Sequence, residues 1–144
     1  MKNILVSIDL EKDSGILIKK ATELALKFNS KVWILHVAAP DPDFVGYTVG
    51  PQYIRDIRAG ELRKEHKMIG RYSDGLKKKG IKAEGLLIAG ATVEMILHEI
   101  EKLKITLLVI GHHQHSLLYK IFAGNNTDLE IAKRSKIPVL IVPL

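Results

Sequence analysis

LLVIGHHQHSLLYKIFAGNNTDLEIAK, residues 107–133, decides how the chain is read. Its opening run, Leu107 to Ile110, is wholly apolar and ends at Gly111, and a short apolar run bounded by glycine reads as a strand buried on both faces. A ligand loop is expected next. Beyond it, Asn125 or Asn126 caps a helix with Asp128 and Glu130 in its first turn. Lys133, Arg134 and Lys136 follow at its end, so both ends complement the helix dipole. Gly124 then stands just ahead of a helix N-terminus. Gly111 permits close backbone approach at a strand end and Gly124 opens a turn of free N–H groups, and together they form a candidate phosphate cradle.

Upstream, the chain repeats the strand-then-helix grammar. Asn3 to Ile8 is an apolar strand ending at Asp9, followed by the polar turn EKDSG. Leu17, Ala21, Leu24, Ala25 and Phe28 fall on one side of a helix capped by Asp13 or Ser14. Lys31 to Ala39 lacks alternation and reads as a second buried strand. Asp41 to Pro51 is a long loop over a strand end, a lid, a partner contact or a plain surface crossing. A second helix spans about Gln52 to Lys79 with Leu62, Ile69, Tyr72 and Leu76 inward; Gly60 is its weak point, since a mid-helix glycine costs about 1 kcal/mol, and a break there is the alternative that gives the amino-terminal part to the loop. Ile81 to Ala89 is the third strand. Val93, Ile96, Leu97, Ile100 and Leu103 mark a third helix, and Ile137 to Val142 is the last strand. Five strands alternating with four helices predict one α/β domain over residues 1–144: an open parallel sheet with helices on both faces, Rossmann-like, binding ligands beyond the strands' carboxyl ends.

Composition agrees with one ordinary domain. The chain has 144 residues, 47% hydrophobic and 26% charged, without cysteine, which excludes disulfides, thiolate zinc sites and thiol catalysis. Neither a signal-peptide core nor a transmembrane run is present, so a cytoplasmic location without membrane association is expected. The net charge of +6 concentrates partly in Gly60 to Gly80, with seven basic and three acidic side chains, and reads as a solvated helix face. No zinc-finger spacing or aromatic-rich basic strand accompanies it, so nucleic acid is not an expected partner.

Several chemistries lack their motifs. There is no GxGxxG after the first strand, no GxxxxGK[ST] and no GxSxG elbow, and the third strand ends Ile88-Ala89-Gly90 without the aspartate that a receiver domain needs. His112, His113 and His115 sit too close in sequence to share one ion, so no metal site is expected of them. Asp9 reads first as a turn or helix cap.

Six pieces in order, Ile4-Leu5-Val6-Ser7-Ile8-Asp9, His36-Val37, Gly90, Val109-Ile110-Gly111, Gly124-Asn125 and Pro138-Val139-Leu140-Ile141-Val142-Pro143, make the whole chain resemble the universal stress protein family. The resemblance implies a sheet like that shared with the adenine nucleotide alpha hydrolases. Nucleotide-binding members carry GxxG, nine residues, then Gly with Ser or Thr; here those positions are Gly111, Gln114, Gly124 and Asn125. Gln114 puts a side chain where backbone would approach phosphate, and Asn125 replaces a hydroxyl with an amide. Gly111-His112-His113-Gln114 and the Ile141-Val142-Pro143-Leu144 terminus resemble the UspA-like branch, regarded as not binding ATP, while Gly124-Asn125 resembles the other. The resemblance implies a candidate nucleotide site of Ser7, Asp9, Val37, Gly111, His112, Gln114, Gly124, Asn125 and Asn126, with no catalytic residue.

Two functions follow. The favoured one is a dimeric, non-catalytic stress-response binding or interaction protein with a degenerate nucleotide loop. The alternative is a protein that binds ATP or AMP with Mg²⁺, in which Val37 lines adenine and Asp9 holds the metal. Any hydrolysis there would be slow, because the sequence offers no positioned base, loop arginine or Walker lysine. In the last strand Val139 and Ile141 face one way and Leu140, Val142 and Leu144 the other, leaving an apolar edge to be paired. The resemblance implies a homodimer through Pro138, Val139, Leu140, Ile141 and Val142, its pairing kept short by Pro138 and Pro143.

Overall fold

The computed structural model describes residues 1–38, 52–113 and 127–144. Its elements are β1 (Asn3–Ser7), α1 (Ser14–Phe28), β2 (Lys31–Ala38), α2 (Gln52–Lys78), β3 (Ala83–Ala89), α3 (Thr92–Lys102), β4 (Leu107–His112), α4 (Thr127–Arg134) and β5 (Val139–Pro143). All strands are parallel, in the order β3-β2-β1-β4-β5.

Burial explains the long apolar runs. β1 and β4 are interior strands, so successive side chains enter two different cores. Ile4, Val6, Val32, Ile34 and Val109 pack beneath Leu17, Ala21 and Ala25 of α1 and Ile69 and Leu76 of α2. Leu5, Leu35, Leu108 and Ile110 pack beneath Val93, Ile96 and Ile100 of α3 and Ile131 of α4. At the edge strand, Leu140 and Val142 join the first core and Val139 and Ile141 the second, the alternation expected from sequence.

Three local expectations are corrected. Phe28 is 48% exposed rather than inward, because α1 ends there and Asn29 turns the chain in the left-handed conformation at φ 50°. α2 runs through Gly60, Gly70 and Gly75 without a break. Its packing explains the continuity: Ile69, Ser73 and Leu76 are buried, and tertiary contact overrides a weak local preference. Asp13 occupies the cap position of α1 but makes no capping side-chain bond, and Ser14 donates instead to Asp9.

Candidate functional site

The chain leaves β1 for α1 on one face and β4 for α4 on the other, so these adjacent strands diverge at their carboxyl ends. Such a switch point opens a crevice. Ser7 and Asp9 lie on one lip, and Gly111, His112 and His113 on the other.

Asp9 organises its own loop. Its Oδ1 accepts from the Glu11 N–H at 3.0 Å and from the Ser14 hydroxyl at 3.2 Å. The first bond spans Leu10, which takes the left-handed φ of 66° that a leucine adopts only when its surroundings hold it. Across the crevice, His113 Nε2 lies 3.3 Å from Asp9 Oδ2. Burial alone would push the Asp9 carboxyl up, but donation from Glu11, His113 and Ser14 outweighs it and holds Asp9 below its usual range.

His112 makes the matching contact on the other side. Its Nδ1 stands 2.7 Å from Oδ2 of Asp128, in the first turn of α4. The Nδ1–H donates to the carboxylate, which fixes the ring and draws Asp128 to the strand end. Adjacent side chains leaving a strand point oppositely, so one histidine meets the β1 loop and its neighbour meets α4. Sequence reading named all three of Asp9, His112 and His113 but did not join them to Asp128. The available signal was a His-His pair at a strand end with an aspartate opening the next helix.

His36 has a separate part. Its Nδ1–H donates to the Ile8 carbonyl at 2.9 Å, tying β2 to the backbone just ahead of Asp9. Its Nε2 lies 3.8 Å from Glu65 Oε2 on α2, a buried oxygen without a hydrogen-bond partner among the described residues.

Two sequence-named residues have surroundings that their patterns did not disclose. A Cβ on Gly111 would collide with Leu144 and come within 3.3 Å of Leu17 Cδ1, so the missing side chain makes room for protein packing. Val37 packs against the core layer containing Leu35 and α3. Ser7 is half-buried at the end of β1. Gln114, Gly124, Asn125, Asn126 and the Asp41–Pro51 loop lie outside the described residues.

Fold and crevice together define a doubly wound, open-sheet α/β domain with polar groups gathered at its switch point. The sequence model of the universal stress protein family matches residues 1–143, and the chain belongs to that family. A universal stress protein A homolog of Haemophilus influenzae is 29% identical over 147 residues, covering 99% of this chain and 96% of the relative. The structure of universal stress protein UspA from Lactobacillus plantarum superposes with a TM-score of 0.80 at 13% identity, covering 98% of this chain and 97% of the other. A universal stress protein solved in complex with cAMP superposes with a TM-score of 0.68 at 24% identity, covering 98% and 95%. Among the described residues no helix is long and apolar enough to cross a membrane.

Proposed function

We propose that the protein is a cytoplasmic, dimeric, non-catalytic stress-response binding protein whose nucleotide crevice is degenerate. The observation that carries this reading is the pairing of Asp9 with His113 and of Asp128 with His112. An incoming phosphate approaches two carboxylates whose partners are already engaged. Repulsion at close range opposes its binding, and Asp128 also occupies the helix turn whose dipole would attract an anion. Gln114 and Asn125 add to this, since neither is the residue of the family's nucleotide loop. Dimerisation is supported by β5, an edge strand whose outer backbone groups have no strand beside them among the described residues.

A second reading has specific support. Asp9 is held ionised, as a Mg²⁺ ligand must be, and a relative of the same fold was solved with cAMP. In that reading Asp9 holds Mg²⁺, ATP or AMP occupies the crevice and any hydrolysis is slow. Mass spectrometry of small molecules released from freshly purified protein separates the two. The degenerate crevice gives an empty preparation; adenine nucleotide in amounts comparable to protein establishes the second reading instead.

A further inference from the structure

α2 is longer than the sheet needs. Glu65 lies level with the carboxyl end of β2, where it approaches His36, and the helix begins at Gln52. At about 1.5 Å per residue, its first turns extend roughly 20 Å past that level. The fully buried residues of α2, Ile69, Ser73 and Leu76, all lie beyond Glu65 towards the C-terminus, and among the described residues the projecting part places no side chain in either core cluster.

The face opposite Ile69 and Leu76 carries a continuous pattern. Ile57, Gly60, Lys64, Lys67, Arg71, Asp74 and Lys78 recur at alternating steps of three and four residues, one straight stripe on a helix. Tyr53 extends it by one turn. Tyr53 and Ile57 are 66% and 60% exposed, an uncommon exposure for large apolar groups side by side. Lys64, Lys67, Arg71 and Lys78 are exposed and make no ion pair or side-chain hydrogen bond among the described residues. By contrast, Arg58 pairs with Glu61 and Lys77 with Asp74. The stripe thus has an apolar end and a cationic body interrupted only by Asp74, whose charge is met by Lys77.

We infer that this stripe of α2 is a docking surface for an acidic amphipathic helix of another protein. Glutamates repeating at the same steps of three and four would face Lys64, Lys67, Arg71 and Lys78, while apolar side chains at one end would cover Tyr53 and Ile57. Charge complementarity selects an acidic partner, and the one-helix stripe selects a helical one. A bilayer is a poor match, because α2 commits its remaining apolar face to the sheet and has only two large groups left on the stripe. Nucleic acid is a poor match because no aromatic side chain interleaves the cations.

The test uses a synthetic helical peptide with glutamates at this spacing and two leucines at one end. A scrambled peptide of the same composition, single-stranded DNA and phosphatidylserine vesicles serve as competing probes. Fluorescence anisotropy is expected to show the patterned peptide binding at least about tenfold tighter than the scrambled one. Tyr53→Ala with Ile57→Ala should weaken it by about tenfold, and Lys64→Glu, Lys67→Glu and Arg71→Glu together should abolish binding. Circular dichroism monitors folding, and if the charge reversal unfolds the chain, the corresponding three glutamine substitutions replace it. Equal binding of both peptides, no binding of either, or tighter binding of DNA or vesicles overturns the proposal.

Discussion

Asp9 accepts from the Glu11 N–H and the Ser14 hydroxyl and reaches across the crevice to His113. Because the Asp9 carboxyl sits below its usual range, its stabilising effect is present above the unfolded-state value of about 4 and is lost as pH falls through the lower folded value. Asp9→Asn should therefore flatten the acid limb. Urea unfolding at pH 7 and pH 3 should show wild type losing more stability than the variant, and parallel losses would contradict the assignment. An aspartate after a strand was legible in the sequence; its contact with His113, 104 residues later, required the sheet order that brings β1 beside β4. The same applies to Asp128 and His112, and to Gly111, whose missing side chain is explained by Leu144 and Leu17. Gln114→Gly and Asn125→Ser test the loop substitutions. If both line one phosphate path, calorimetric titration with MgATP should show tighter binding by the double variant than by either single one. The coupling expected is about 0.5 to 3 kcal/mol. A folded double variant that binds no better than wild type shows that Gln114 is not the obstacle.

Among the elements, the strands were the most legible, while for α2 the extent, Gln52–Lys78, was legible and its unbroken course was not. β1, β2 and β4 announce themselves because burial on both faces demands apolar residues at successive central positions, Ile4 to Val6, Val32 to Leu35 and Leu107 to Ile110. α2 contains three glycines that locally disfavour helix, and only the packing of Ile69 and Leu76 shows why it persists. These glycines are not equivalent to Gly85 of β3. A Cβ at Gly75 meets nothing within 4 Å, so Gly75→Ala should stabilise the protein by about 0.5 to 1 kcal/mol in denaturant unfolding. No gain would mean that α2 frays at that turn. A Cβ at Gly85 collides with Cγ2 of Ile69, a stiff branched side chain in the core beneath α2. Gly85→Ala should cost about 1 to 3 kcal/mol, and combining it with Ile69→Ala should cost less than the sum of the two single changes. Additive losses would place the strain elsewhere.

Across the whole molecule, alternation of strands and helices was enough to read a parallel sheet, because short right-handed crossovers permit few other arrangements. Association was less legible, since an edge strand states an opportunity without naming its partner. Light scattering across dilution should give twice the chain mass for a β5-paired dimer, whereas a single-chain mass at micromolar concentration excludes it. The proposed effect of the carboxylate–histidine pairs and of Gln114 and Asn125 at the sheet's switch point is little affinity for nucleotide. Its most direct test is thermal unfolding with and without 1 mM MgATP. A ligand present near its Kd adds only about 0.4 kcal/mol, so a shift of roughly 1 to 2 °C or less is predicted. A rise of about 5 °C or more, corresponding to roughly 2 kcal/mol, would contradict it and identify the crevice as a working nucleotide site.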